Sequence, residues 1–248
     1  MAINGHILVS GGGKGIGRAI TDTLLDNDYR VSALGRDRVN LNHENASFFE
    51  CDVTDFKNLD SVVKEVMNKG GPINGLVNNV GRSAWKKLED ISTDFWNTMI
   101  SVNTGSTLFL TQAVVKNSEG IRSVVNISSL AGKRGSANNT AYCASKFAVN
   151  GITQSLAKEL GVNGIRVNAI CPVYVKTDGV VQALLEDGTP RGHMDLEAYF
   201  ETFAYSNSAL KRLPLGKEVG NSCAFLLADE SSAITGQCIN VDCGVLPQ

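Results

Sequence analysis

The chain has 248 residues, 43% of them apolar, which is enough for one α/β domain or two small ones around a sizeable core. Lys+Arg of 23 against Asp+Glu of 25 leaves a net charge of −2, so no broad positive field points to nucleic acid or to an anionic membrane. The six cysteines (Cys51, Cys143, Cys171, Cys223, Cys238, Cys243) form no C-x-x-C pair and the three histidines (His6, His43, His193) lie far apart, so neither a metal site nor a disulfide framework is expected.

The sequence enters a strand almost at once, without a charged segment and apolar core of signal-peptide type, and no apolar run approaches the ~18 residues of a membrane span. Together with reduced thiols, this gives a cytoplasmic protein as the expectation. Strand and helix signals alternate to the end with no linker between them. One α/β domain spanning 1–248 is the reading.

Ile7-Leu8-Val9 is a short apolar run that stops at Ser10-Gly11-Gly12-Gly13-Lys14-Gly15-Ile16-Gly17, after which Arg18 to Leu25 reads as a helix. Strand, glycine turn and helix together let backbone N–H groups and a helix N-terminus face a pyrophosphate, so dinucleotide binding is expected here. The second strand, Val31 to Leu34, ends at Gly35-Arg36-Asp37. A carboxylate about twenty residues beyond the glycine turn would take the ribose 2′-hydroxyl of NAD, whereas an arginine there holds a 2′-phosphate. Arg36, with Lys14 as a second cation, leans the sequence toward NADP(H), and Asp37 is the counter-argument for NAD(H).

Phe48 to Cys51 reads as the third strand, followed by Asp52-Val53-Thr54 and a helix with Leu59, Val62, Val63 and Val66 on one face. Asp52 has two readings, an acceptor for an adenine amino group or the cap of a turn. Gly75-Leu76-Val77 leads into Asn78-Asn79-Val80-Gly81, whose amides can tie adjacent strands together. Thr93 to Val115 reads as one long helix with Asn103 inside it, a poor helix former carrying a polar group that needs partners.

Val124 to Ser129 is a buried strand whose apolar residues give way to hydroxyls at its carboxyl end, where open parallel sheets bind ligands. The next helix runs from Tyr142 to about Leu160. Tyr142 and Lys146, four apart, share one face of it. A free tyrosine titrates near ~10, and a cation beside it would draw that value toward the working range, making the phenol a proton donor and acceptor. A sixth strand, Ile165 to Ile170, ends at Cys171-Pro172-Val173-Tyr174-Val175-Lys176-Thr177, and the less regular stretch 178–213 is where a substrate lid is expected. Glu218 to Ala228 reads as a helix and Gly236 to Asp242 as the last strand.

On these residues the chain resembles the short-chain dehydrogenase/reductase family, in its single-domain, 3-oxoacyl reductase-like branch. The marks are Gly11-x3-Gly15-x-Gly17, Asp52, Asn78-Asn79-x-Gly81, Asn103, Ser129, Tyr142-x3-Lys146 and Pro172 with Thr177, running from Ile7 to Gly244. The resemblance implies a doubly wound Rossmann-type sheet of about seven parallel strands with helices on both faces, and a catalytic set of Asn103, Ser129, Tyr142 and Lys146. Tyr142 would be the acid/base, Lys146 would lower its pKa and hold the nicotinamide ribose, Ser129 would bind the substrate carbonyl, and Asn103 would hold a water in a proton relay.

The same resemblance implies a coenzyme site made of Ser10, Gly11, Gly13, Lys14, Gly15, Ile16, Gly17, Arg36, Asp52, Val53, Asn79, Val80, Gly81, Pro172, Val175 and Thr177, joined by Tyr142 and Lys146. It also implies a small-molecule carbonyl or alcohol substrate and a homo-oligomer, tetramer or dimer. Ser10, Val80, Val173 and Cys243 depart from the family's usual threonine, alanine and two glycines, and none of these removes a reacting group. The expected activity is NADP(H)-dependent reduction of a ketone or its reverse. The alternatives are an NAD-dependent alcohol dehydrogenase and a non-catalytic NADP-binding regulator.

Overall fold

Seven short, strongly apolar segments, each too short for a stable helix, pair as parallel strands in a computed structural model that describes residues 4–247. They are β1 (His6–Ser10), β2 (Arg30–Gly35), β3 (Ala46–Glu50), β4 (Gly75–Asn78), β5 (Ser123–Ile127), β6 (Arg166–Pro172) and β7 (Cys238–Val241), in the order β3-β2-β1-β4-β5-β6-β7. The chain winds outward from β1 to β3, then crosses back to β4 on the other side of β1. That reversal opens a crevice at the carboxyl ends of β1 and β4, the place where doubly wound sheets take their ligands.

Alternation along each strand divides the core in two. Leu8, Leu34, Leu76, Val124 and Val167 pack on one face against α2 (Leu59–Gly70), α4 (Ser106–Asn117) and α5 (Thr140–Gly161). Ile7, Val9, Val31, Val77, Val125 and Ile170 pack on the other against α1 (Gly15–Asp26) and α8 (Gly216–Leu227). The expected fold class, a Rossmann-type sheet with helices on both faces, is the one observed.

Two elements differ from the sequence reading. The helix expected from Thr93 to Val115 is divided into α3 (Thr93–Ile100) and α4 by a π-helical turn over Ser101–Gly105. An inserted residue of this kind turns a side chain out of helical register, and here it holds Asn103 in the interior with no exposed surface. The stretch 178–213 contains two helices, α6 (Asp178–Leu185) and α7 (Leu196–Asn207). Thr177 caps the first by accepting from the Val180 amide, and Asp195 caps the second by accepting from the Glu197 and Ala198 amides at 3.0 and 3.1 Å. Both helices bury apolar faces in one cluster with Trp85 from the loop after β4.

Candidate active site

The turn after β1 is built for close approach. Gly11 has φ +65°, and a side chain on Gly17 would meet the Gly11 carbonyl oxygen at 2.0 Å, so the first turn of α1 is pressed onto the loop. Lys14, at the N-cap of α1, is extended and makes no side-chain cap, leaving the first amides of the helix to a ligand or to water. The structure therefore supplies an anion cradle in which the glycines fit a pyrophosphate.

Ser10 and Asn79 brace this turn. The Ser10 hydroxyl accepts from the Asn79 and Val80 amides at 3.0 and 3.3 Å, and the Asn79 side-chain amide donates to the Ser10 and Gly11 carbonyls. Asn78, facing the other way, ties β4 to Asn126 of β5 and to Thr111 of α4. Both asparagines thus do the strand-tying expected of them. Thr177 closes the crevice from β6, 3.6 Å from where a Gly15 side chain would stand.

The remaining residues expected at the coenzyme site divide between floor and rim. Val53 and Val175 are buried in the two cores, Pro172 is buried at the end of β6, and Ile16 and Val80 pack against core residues. Gly13 lies against Val39. At the rim, Arg36 is exposed at the end of β2, and Lys14 pairs with Asp37 at 3.4 Å with both side chains about four-fifths exposed. Asp52 serves a turn: one carboxylate oxygen accepts from the Thr54 amide and hydroxyl, which with the nearby Arg36 holds its carboxyl below the usual range. A cavity of ≈ 210 Å³ adjoins it, lined also by Glu50, Cys51 and Asp55.

The groups expected to react meet at the carboxyl end of β5. Ser129 follows the strand with an extended backbone and accepts from the Ala131 amide at 3.1 Å. Its hydroxyl also hydrogen-bonds the Tyr142 phenol. Lys146 is buried one turn further along α5, its ammonium 5.9 Å from the Tyr142 ring centre and donating to the Ile127 carbonyl at 2.8 Å. Gly81 fits where it does for lack of a side chain, since a Cβ there would sit 3.3 Å from both the Lys146 nitrogen and the Asn103 oxygen.

The electrostatics correct one expectation. Lys146 was expected to draw the Tyr142 pKa down; in the protein matrix burial prevails, pushing Tyr142 up to about 12 against the countering hydrogen bond from Ser129. Burial also pulls Lys146 down to about 8. The pair is adjacent as expected, but burial is the largest cause of both shifts.

Asn103 is more tightly held than its sequence position suggests. Its carbonyl oxygen accepts from the Arg82 amide at 2.7 Å, and its NH₂ group donates to the Arg82 carbonyl at 3.0 Å and to the Ser145 hydroxyl at 2.9 Å. Both amide donors are spent within the protein. Ser145 donates in turn to the Tyr142 carbonyl at 2.7 Å, so Asn103, Ser145 and α5 form one chain of bonds. Sequence reasoning passed over Ser145. Its place inside Tyr142-x3-Lys146, one turn from Tyr142 on a neighbouring face of the helix, was the available signal.

A glycine cradle at the switch point of a doubly wound sheet, with a serine, a tyrosine and a lysine converging beside it, defines an oxidoreductase of the dinucleotide-fold class. The family model described as Enoyl-(Acyl carrier protein) reductase matches residues 11–246. The chain is 32% identical to the 3-oxoacyl-(acyl-carrier-protein) reductase FabG of Thermotoga maritima, covering 99% of this chain and 100% of that protein. It is also 32% identical to a short-chain dehydrogenase/reductase of Armillaria gallica, over 96% and 95% of the two chains. Among solved structures, ligand-free aldohexose dehydrogenase of Thermoplasma acidophilum superposes with a TM-score of 0.88 at 30% identity, over 99% and 98% of the chains. The chain belongs to the short-chain dehydrogenase/reductase family and is a ketoreductase-like oxidoreductase within it. Among the described residues no helix is long and apolar enough to cross a membrane, and no three His, Cys, Asp or Glu side chains are grouped to hold a metal.

Proposed function

We propose that the protein reduces a ketone to a secondary alcohol, or runs the reverse, with NADP(H). The observation that carries this reading is the convergence of Ser129, Tyr142 and Lys146 at the end of β5, beside the β1 glycine turn. A bound nicotinamide coenzyme supplies the hydride, and the protein contributes placement and polarity. The Ser129 hydroxyl donates to the carbonyl oxygen of the substrate, Tyr142 gives that oxygen its proton, and Lys146, with Asn103 behind it, fixes the local charge and geometry. A phenol held protonated suits the reducing direction, in which it begins as the acid.

Lys14 and Arg36 support the choice of NADP(H). An exposed pair such as Lys14–Asp37 is worth at most about 1 kcal/mol, so a 2′-phosphate can draw Lys14 from its partner. Relatives named as 3-oxoacyl-(acyl-carrier-protein) reductases favour a 3-oxo substrate. A serine–tyrosine pair aimed at one oxygen suits that chemistry, since the oxygen of a ketone becomes the hydroxyl. Consumption of NADPH and NADH over a panel of ketones, in wild type and Tyr142→Phe, tests the reading. The expected result is NADPH-preferring turnover abolished by the substitution while NADPH binding persists; wild-type rates in Tyr142→Phe would overturn it.

A further inference from the structure

Asn138, the residue before the N-cap of α5 and four before Tyr142, has a left-handed backbone with φ +58° and joins three segments. Its carbonyl accepts from the amide of Lys86, in the loop after β4, at 2.6 Å. Its side-chain NH₂ group donates at 3.0 Å to the carbonyl of Gly188, in the loop between α6 and α7. A backbone carbonyl can only accept, so this contact fixes which end of the amide faces the lid. Gly188 is itself left-handed, with φ +78°.

Gly188 is not free to move by itself. The Thr189 hydroxyl and the Arg191 Nε both donate to the Leu184 carbonyl, at 3.1 and 2.9 Å, which folds the loop back onto the last turn of α6. At its other end α6 starts from Thr177, beside Gly15 of the glycine turn. α6 and its loop thus bridge the crevice from that turn to the start of α5, and their apolar side chains share one cluster with Trp85. Apolar packing tolerates small shifts, whereas the Asn138 bond is directional and is either made or broken.

We propose that Asn138 is a latch: its bond to Gly188 holds α6 and the loop after it across the crevice, and breaking that bond gates the passage of the coenzyme. The inference goes beyond the ketone-reducing reading and rests on it only for the identity of the coenzyme. One such bond is worth a factor of about two to ten in the ratio of closed to open lid. Made in the filled and the empty protein alike, it slows entry and exit by the same factor and leaves affinity unchanged.

Asn138→Gly removes the amide while tolerating the left-handed backbone and keeping the bond from Lys86; Asn138→Asp keeps the shape but offers Gly188 no donor. In both variants trypsin should cut the native protein after Arg191 about fivefold faster than in wild type, because cleavage follows the open population of the loop. The 1–191 fragment, identified by mass, reports it. In stopped flow with NADPH, association and dissociation should both quicken about fivefold at an unchanged Kd. Wild-type cleavage rates in either variant would overturn the latch. So would faster dissociation alone with a matching rise in Kd, which a merely damaged site would give. A protein that binds no NADPH would sink the coenzyme reading instead, and the cleavage rates would still decide the latch.

Discussion

Lys146 carries the largest energetic conflict at the scale of single residues. Its ammonium is buried with one carbonyl for company, and the fall from 10.5 to about 8 measures what the folded state loses by keeping it charged, roughly 3 kcal/mol. A base whose folded pKa is depressed contributes full stability above its unfolded pKa and loses it as the pH falls through the folded value. The loss thus sets in below 10.5 and is complete below about 8. Lys146→Met removes the charge but leaves the Ile127 carbonyl unpaired, which returns about 1–2 kcal/mol. The variant should be inactive yet more stable at pH 7 by about 1–2 kcal/mol, a rise in Tm of a few degrees for a chain of this size. Denaturation at pH 7 and pH 10 checks it: the advantage should shrink at the higher pH, and a variant less stable than wild type at pH 7 would show that the lysine is better solvated than its burial implies.

At the scale of elements, the π-helical turn between α3 and α4 explains how one buried amide can hold three segments. Asn103 pairs both backbone groups of Arg82, in the loop after β4, and reaches Ser145 in α5, so the turn fixes Gly81 beside Lys146. Asn103→Ala removes the partner of the part-buried Arg82 amide and carbonyl and of the buried Ser145 hydroxyl, and each lost hydrogen bond costs about 0.5–1.5 kcal/mol. The expected result is a loss of about 2–4 kcal/mol in stability by urea denaturation, together with most of the activity. Loss of activity at wild-type stability would instead restrict Asn103 to the proton relay.

This turn also shows where legibility ended. A run of apolar residues at helical spacing is insensitive to one extra residue, so Thr93 to Val115 read as a single helix. Gly188, Pro190 and Gly192 interrupt the lid and hid two short helices, though the spacing of Tyr199, Phe200 and Phe203 was there to be read. The strands, the glycine turn and α5 were legible because each follows from a local pattern. Ser129, Tyr142 and Lys146 were legible because their side-chain chemistry narrows their use. Ser145 and the direction of the Tyr142 shift were not, since burial and pairing across distant segments arise only in the folded chain.

For the whole molecule, the surface is the remaining argument. Phe147 of α5 is 47% exposed and Phe109 of α4 36%, on the same side of the sheet, while Phe225 of α8 and Leu215 before it project on the other at 46% and 65%. β7 closes the sheet with one edge unpaired and every residue part-exposed. Exposed aromatic side chains on long helices and an open strand edge are liabilities in a monomer and assets in an assembly. With a net charge of only −2, self-repulsion does little to oppose association. Light scattering on the purified protein should therefore give a mass of about two or four times 26.4 kDa. Phe147→Glu should shift it toward the single chain with secondary structure intact, because the side chain it replaces is half in water already. A wild-type protein that remains monomeric at high concentration would remove the homo-oligomer from the reading and leave these residues as plain surface.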